Sequence, residues 1–134
     1  MSKQTKWIIG FIAGFFIVLV FALDIWLKAA TWYKGDRTKN PTEYNMEFTS
    51  MHTKDSHTMH MRAGQYLSVQ IGIEKGEMDV EIEKKGEEPI YSADNVTSED
   101  TFVEIPSDGD YVITVRGKRA KGYMYFKISA PIFD

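Results

Sequence analysis

The sequence predicts a mainly β protein, an antiparallel β-sandwich of about eight strands, preceded by one transmembrane α-helix. Two observations support this fold class. Residues 7–23 contain no charged side chain, whereas apolar and polar residues alternate from residue 44 onward, with turn residues roughly every eight to twelve positions. Such alternation is typical of a sheet with one buried and one solvated face. A closed barrel of the same strands is the alternative fold.

The apolar N-terminal segment has the length of a membrane span. Trp7–Leu23 is uncharged, and after Asp24 the apolar character resumes through Trp26. At about 1.5 Å per residue this segment measures about 26–31 Å, which matches a hydrocarbon core of about 30 Å. Aromatic residues at both ends favour the headgroup level of a bilayer. We therefore predict a cytoplasmic tail at residues 1–6 and a transmembrane helix at residues 7–30.

A cleaved signal peptide is the alternative interpretation of this segment, because Val20-Phe21-Ala22 resembles a cleavage site. The apolar run is longer than the hydrophobic region of a signal peptide, which has about 7–15 residues, and this favours retention as an anchor. The lysines and arginines on the two flanks do not decide the orientation. The short tail before the span favours an inside N-terminus and an outside C-terminal domain, as in a single-pass protein of the cell membrane.

Gly10 and Gly14 form a GxxxG pair within the apolar segment. Small residues at this spacing let two membrane helices approach closely. The pair is therefore a candidate contact with a membrane-protein partner or with a second copy of the chain. The alternative is that small residues are simply common in membrane helices.

The composition after residue 30 limits the classes of function. This part of the chain contains 13 basic and 18 acidic residues, so its net charge is about −5. Nucleic acid is bound by basic surfaces, and we do not expect it as a partner. The chain contains no cysteine, which excludes disulfides, thiolate catalysis and cysteine-based zinc sites. The roughly one hundred remaining residues suffice for one core without covalent cross-links.

Two further segments follow the predicted helix. Residues 31–43 are polar, contain Gly35 and Pro41 and show no period, which predicts a juxtamembrane linker. Residues 44–134 then form the predicted extracytoplasmic β-sandwich domain. Its strands are predicted at residues 44–49, 57–62, 67–73, 77–83, 90–91, 101–105, 111–116 and 123–130, separated by turns or loops that include residues 52–56, 75–76 and 118–122.

Three segments follow one another in a recognisable order of strands and turns: Arg62–Val69, Glu74–Ile82 and Ser107–Gly117. With the final Gly-x-aromatic strand, here Gly122-Tyr123-Met124-Tyr125, they resemble the small jelly-roll domains of the bacterial pre-peptidase C-terminal and GOLD-like type. The resemblance covers residues 44–130. It implies a jelly-roll-like sandwich that serves as a binding or accessory module, and it transfers no catalytic residues. With its anchor the chain is also similar to small envelope proteins of Gram-positive bacteria.

Residues 46–61 contain all three histidines and four of the seven methionines. Thioether and imidazole groups suit copper outside the cytoplasm. The candidate metal ligands are His52, His57, Met59, His60 and Met61. On a strand, alternate residues share a face, so His60 would point away from His57, Met59 and Met61. The competing interpretation places the methionines in the core and the histidines at the surface.

Two charged clusters are candidates for contact with a partner. Four acidic residues line one face of the fourth predicted strand, namely Glu77, Asp79, Glu81 and Glu83. Four basic residues lie at the last predicted hairpin, namely Arg116, Lys118, Arg119 and Lys121. The basic cluster is a candidate contact with lipid headgroups, anionic wall polymer or an acidic partner. We predict that the acidic strand and the basic hairpin are separate, and the resulting charge asymmetry suits oriented docking; ordinary solvated surfaces are the alternative.

The sequence offers few signals of catalysis. It lacks a G-x-S-x-G elbow, an H-E-x-x-H pair and a Gly-rich phosphate loop. We therefore predict a membrane-anchored, non-catalytic accessory or interaction protein of the bacterial cell envelope, with the lipid bilayer and a membrane protein as partners. We predict no cofactor for this function. The alternative function is an extracytoplasmic copper-binding protein that uses residues 46–61, with copper as its cofactor.

Overall fold

Six β-strands account for most of residues 31–129, the part of the chain that the computed structural model describes. The strands are β1 (Trp32–Lys39), β2 (Glu43–Met61), β3 (Tyr66–Lys84), β4 (Pro89–Ala93), β5 (Ser98–Glu104) and β6 (Gly109–Ser129). All six belong to one unit of the chain, Trp32–Asp134. Residues 31–129 contain no helix.

The strands form one antiparallel sheet in the order β1-β2-β6-β3-β4, and β5 also pairs with β3. Strand β6 pairs with β3 along almost the whole length of β3. The other edge of β3 is shared, because Tyr66–Gly72 pair with β5 and Val80–Glu83 pair with β4. Strand β1 therefore forms one edge of the described sheet, and β4 and β5 together form the other.

The three central strands are long and bent. Strands β2 and β3 have 19 residues each and β6 has 21, whereas ordinary strands have about 5–6. The register shifts between Phe48 and Thr53 in β2 and between Ile73 and Glu77 in β3. Extra residues at such bulges bend a strand and increase its twist. The sheet therefore has two halves, which meet at a bend that crosses all three strands.

Buried residues stay on one face of the sheet through the bend. In β2 the buried positions are Tyr44, Met46 and Phe48 before the bend and Met51, Met59 and Met61 after it. The buried positions change from even-numbered to odd-numbered residues. The reason is that alternate residues point to opposite faces, and a bulge adds one residue to the strand. Strands β3 and β6 change parity in the same way, between Ile71 and Met78 and between Val115 and Met124.

Contacts across the bend show that β2 folds back on itself. The Tyr44 hydroxyl donates a hydrogen bond to Asp55, although eleven residues of straight strand would span about 36 Å. His57 Nε2 similarly lies 2.7 Å from the Asn40 carbonyl oxygen. The two halves thus enclose one continuous core of twenty buried apolar side chains, and residues 31–129 contain no buried polar or charged residue.

The predicted sandwich of about eight strands is wrong, because the structure has one bent sheet of six strands. The predicted turns or loops at residues 52–56, 75–76 and 118–122 lie inside β2, β3 and β6, so three pairs of predicted strands are each one continuous strand. The segment expected to be a linker, residues 31–43, contains β1 instead. Most positions of β1 are exposed, so it shows no apolar alternation.

The predicted transmembrane helix is not part of this architecture. Within residues 31–129, no helix is long and apolar enough to cross a membrane. The helix predicted at residues 7–30, the tail at residues 1–6 and the pair Gly10 and Gly14 lie outside the described residues. The fold class of the described chain is therefore mainly β, with a single bent antiparallel sheet.

Candidate functional site

The candidate metal ligands are distributed over several parts of the sheet. The His52 ring stacks on Trp32 with ring centroids 4.7 Å apart, at the bend of β2. His60 lies on the outer face of the second half of the sheet, where its Nδ1 is 2.9 Å from a carboxylate oxygen of Asp110. His52 and His60 therefore interact with different neighbours.

His57 is partly buried and shares a strand face with the two candidate methionines, but its ring contacts other residues. Its ring is 5.4 Å from the Tyr44 ring and its Nε2 contacts the Asn40 carbonyl. Met59 and Met61 are buried among the apolar side chains of the core. Within residues 31–129, no group of three or more His, Asp or Glu side chains is arranged to hold a metal ion.

The basic cluster lies within β6 rather than at a hairpin, and it is next to the acidic one. Arg116 pairs in register with Asp79, and Lys118 pairs with Glu77. Arg119 marks the bend, with a φ of 49°. The prediction of separate acidic and basic surfaces is therefore wrong, because the two sets of charges lie on neighbouring strands of one sheet.

The remaining basic residue of the cluster, Lys121, pairs with Glu74 at 3.4 Å. A surface depression of about 240 Å³ lies beside Arg116. It is lined by charges of both signs, among them Asp79, Glu81, Arg116 and Lys54. This surface is mixed in charge with an acidic excess, because Asp79, Glu81, Glu83 and Asp94 outnumber Lys54 and Arg116.

Asp55 is the centre of a polar network that joins β1 to the folded-back part of β2. Its carboxylate accepts hydrogen bonds from the Tyr44 hydroxyl and from Lys39 Nζ at 3.1 Å, and it pairs with Arg37 Nη1 at 3.2 Å. Lys39 also donates to the Ser56 carbonyl at 2.9 Å. We call Arg37, Lys39, Tyr44 and Asp55 the Asp55 network.

The protonation equilibria of the Asp55 network reflect these contacts. Burial alone would raise the pKa of Asp55, but hydrogen bonds from Tyr44 and Lys39 and the charge of Arg37 lower it overall. Burial raises the pKa of Tyr44, and its hydrogen bond to the Asp55 carboxylate adds to the increase. Asp55 is therefore a stable anion surrounded by three groups, Tyr44, Lys39 and Arg37, and it links β1 to β2.

Four aromatic side chains share the outer face of the first half of the sheet. They are Tyr66, Phe102, Tyr123 and Tyr125, and we call this surface the aromatic face. Phe102 is 58% exposed and Tyr123 is 42% exposed, and Phe102 is the most exposed large hydrophobic residue of the described chain. The residues come from β3, β5 and β6, which are adjacent in the sheet.

Local sequence fixes the positions of the two central tyrosines. Met124 and Phe126 point into the core, so the alternating Tyr123 and Tyr125 point outward. Their rings stack with centroids 5.0 Å apart and planes 22° apart. The Tyr123 ring covers Gly72 on β3, where a Cβ atom would lie 2.6 Å from the ring. Only glycine at residue 72 therefore leaves room for this ring position.

A groove of about 360 Å³ runs beside the tyrosine pair, between β1 and the bend. Asp36 and Glu47 line it together with Tyr123 and Tyr125. The Tyr125 hydroxyl donates a hydrogen bond to Glu47, and this bond raises the pKa of the tyrosine. Asp36 and Glu47 are direct cross-strand partners, so the groove has two carboxylates side by side next to two aromatic rings.

The sequence contained part of the signal for this groove. Alternation in the last strand places Met124 and Phe126 inside, which leaves Tyr123 and Tyr125 on the surface. Asp36 was not recognisable, because residues 31–43 show no alternation and were expected to be a linker. The pairing of Asp36 with Glu47 depends on strand register, which local sequence does not determine.

Comparisons with known proteins assign the chain to no family. No family model matches the sequence. A search of curated proteins likewise finds no protein that matches it.

Proposed function

We propose that the chain is a non-catalytic interaction protein of the bacterial cell envelope, and that the aromatic face is its contact surface for another protein. The observation that supports this function is the exposure of Phe102 and Tyr123 on a domain whose other large apolar side chains are mostly buried. Tyrosine and phenylalanine are enriched at protein interfaces, where they bury a large area at low entropic cost.

The shape of the aromatic face is typical of a protein contact surface rather than of an enclosed pocket for a small molecule. Its residues lie on strands of a sheet whose hydrogen bonds hold their positions. The groove beside Tyr123 is open to solvent on one side. Pockets for small molecules usually enclose most of their ligand, whereas a broad outer sheet face with an aromatic centre and polar surroundings is typical of a protein interface.

In this proposal, the location of the protein at the cell membrane is inferred from the sequence. The uncharged segment Trp7–Leu23 holds the chain in the lipid bilayer. The short N-terminal tail lies inside the cell and the β domain outside it, so the partner is a membrane protein or an extracytoplasmic protein. The GxxxG pair at Gly10 and Gly14 offers a second contact, within the bilayer, to the same partner or to a second copy.

Photo-cross-linking in intact cells tests the proposed function. A photoreactive phenylalanine analogue replaces Phe102 in one variant and Tyr123 in a second. A matched control carries it at Glu87, which is exposed in the turn after β3. We expect both variants on the aromatic face to form an adduct with one and the same protein, identified by mass spectrometry of the membrane fraction. The Glu87 variant should not form this adduct.

Two outcomes would refute this function for the aromatic face. One is the absence of an adduct from both positions, at expression levels equal to that of the natural chain. The other is formation of the same adduct from the Glu87 control, which would show that contact is not confined to this face.

A further inference from the structure

The groove beside the tyrosine pair has an excess of negative charge. Asp36, Glu47 and Glu74 contribute three carboxylates to its lining, and Lys121 contributes one cation. Lys121 already pairs with Glu74 at 3.4 Å. Within residues 31–129, no basic side chain forms an ion pair with Asp36 or Glu47. The groove therefore carries a net negative charge, which favours a positively charged occupant.

Asp36 and Glu47 oppose one another directly on β1 and β2. Like charges at directly opposed positions of an antiparallel pair destabilise a sheet. A cation placed between the two carboxylates would convert this repulsion into attraction. Asp36 and Glu47 thus form the part of the groove that gains most from a positively charged occupant.

The tyrosine rings add a second attraction for the same kind of occupant. An aromatic ring face attracts a cation within about 6 Å of its centroid. Tyr125 is held in place by its hydrogen bond to Glu47 and by stacking on Tyr123. One carboxylate is therefore fixed beside an aromatic ring before any ligand arrives, which reduces the entropic cost of binding.

The inner surface of the sheet shows which cation fits such a combination. There the Arg37 guanidinium lies 4.8 Å from the centre of the Tyr33 ring and pairs with Asp55 at 3.2 Å. A planar guanidinium can stack on a ring and donate two hydrogen bonds to a carboxylate at once. The groove on the outer face presents the same tyrosine and carboxylate groups without an arginine of the described chain.

We propose that this groove binds an arginine side chain of the partner protein, with the guanidinium between the carboxylates of Asp36 and Glu47 and against the tyrosine pair. The proposal rests on the proposed function, since it names the chemistry of the contact made at the aromatic face. The partner would then present an exposed arginine to the groove and apolar residues to Phe102, which lies on the other side of β3 from Tyr123 and Tyr125.

A titration with blocked tripeptides tests the arginine site on the full chain in nonionic detergent. The probes are Gly-Arg-Gly and Gly-citrulline-Gly, which differ in charge but hardly in shape. Binding is followed by the NMR signals of carbon-labelled tyrosine rings. We expect saturable shifts at Tyr123 and Tyr125 with the arginine probe and none with the citrulline probe at the same concentrations.

Isosteric variants connect these shifts with the two carboxylates. Asp36→Asn and Glu47→Gln should each weaken binding of the arginine probe about tenfold or more, because hydrogen bonds between ionised groups are the strong ones. The matched control is Glu81→Gln, which removes an exposed charge from the other half of the sheet and should leave the affinity unchanged. Unchanged methyl spectra confirm that each variant is folded.

The outcomes separate this inference from the proposed function. Equal binding of the citrulline probe, equal weakening by Glu81→Gln, or no shift with the arginine probe would overturn the arginine site. If the cross-linked partner is found and any of these results is obtained, the contact function stands and its arginine chemistry is wrong. A lysine probe, Gly-Lys-Gly, that binds more tightly than the arginine probe would also overturn the choice of guanidinium.

Discussion

At the scale of single residues, Asp55 is the position on which most neighbours depend. Its carboxylate interacts with Arg37, Lys39 and Tyr44, and its side chain is only 14% exposed. Tyr44 is fully buried, so loss of its acceptor would leave a buried hydroxyl unsatisfied, and this costs more than the bond itself contributes. Asp55 therefore joins β1 to the core more strongly than a surface ion pair would.

Substitution of Asp55 by asparagine should lower the free energy of unfolding by about 1–3 kcal/mol. The amide keeps the size of the side chain but loses the charge that Arg37 and Lys39 face. Urea unfolding followed by circular dichroism measures the change. Asp94→Asn, at an exposed position, serves as the control and should stay within about 0.5 kcal/mol of the natural chain.

Stability should also depend on pH through the Asp55 network. The pKa of Asp55 is lowered in the folded state, so its contribution is present above the unfolded pKa, about 3.9, and is lost as the pH falls toward the folded pKa. The pKa of Tyr44 is raised, so its contribution is present below about pH 10 and is lost as the pH rises further.

Thermal unfolding between pH 2 and 7 measures the acid side of this dependence. The natural chain should lose more stability below about pH 4 than Asp55→Asn does. Parallel curves for the two proteins over this range would contradict the assignment to Asp55.

A third expectation at residue scale concerns the opposed carboxylates of Asp36 and Glu47. Replacement of Asp36 by asparagine removes the repulsion and should raise the free energy of unfolding by about 0.2–1 kcal/mol. Asp100 faces Gln70 across the β3–β5 pair, so Asp100→Asn removes a charge without relieving a repulsion and should give no increase. Loss of stability in Asp36→Asn would show that the opposed pair is not repulsive.

At the scale of elements, the bend in the long strands places a specific requirement on the residue at position 76. Gly76 lies in the bend of β3 with a φ of 77°, and a Cβ atom there would overlap the backbone of Arg119 on β6. The close approach of the two strands needs a residue without a side chain, and the positive φ also favours glycine. The bend therefore depends on both backbone conformation and space at one position.

Two glycine-to-alanine substitutions separate these two requirements. Gly64 has a similar φ of 86°, but no atom lies within 4 Å of its virtual Cβ. Gly64→Ala should cost about 1–2 kcal/mol for the left-handed conformation alone, and Gly76→Ala should cost clearly more because it also clashes. Chemical denaturation of both variants provides the measurement. Equal losses would mean that the bend has room for a methyl group.

Strand β1 shows what local patterns can and cannot predict. Most of its positions are exposed, and it contains charged side chains such as Lys34 and Arg37, as edge strands often do. Neither apolar alternation nor a buried face distinguishes such a segment from a linker. The reversals expected at residues 52–56, 75–76 and 118–122 were wrong for a related reason: polar residues and glycines mark both a bulge and a turn.

At the scale of the whole molecule, the alternation did predict which face of most strands is buried. Met78, Val80 and Ile82 are in the core and the acidic residues between them lie on the opposite face, fully or partly exposed. The number of strands and the single sheet were not predictable, because they depend on whether the chain reverses at each bulge. The same limit applies to the groove, where register alone brings Asp36 beside Glu47.

One core spanning both halves of the sheet should unfold in one step. Six methionines of the described chain are buried in it: Met46, Met51, Met59, Met61, Met78 and Met124. Oxidation of a buried methionine by peroxide requires opening of the structure. In a urea series, peptide mass spectrometry should therefore show all six becoming reactive at the same denaturant concentration. Earlier oxidation of Met59, Met61 and Met78, which lie in the second half, than of Met46 and Met124 would show that the halves unfold separately.

The position of β1 has a mechanical consequence for a chain attached at residue 31. Its first residue, Trp32, pairs with His52 in the bend of β2, and its last, Lys39, is fastened at Asp55. A force applied to the chain at residue 31 acts on the Trp32 end of β1 first and on the end held by Asp55 last. The hydrogen bonds between β1 and β2 would therefore break one after another. The other five strands would remain folded around the core while β1 detaches and lengthens the connection.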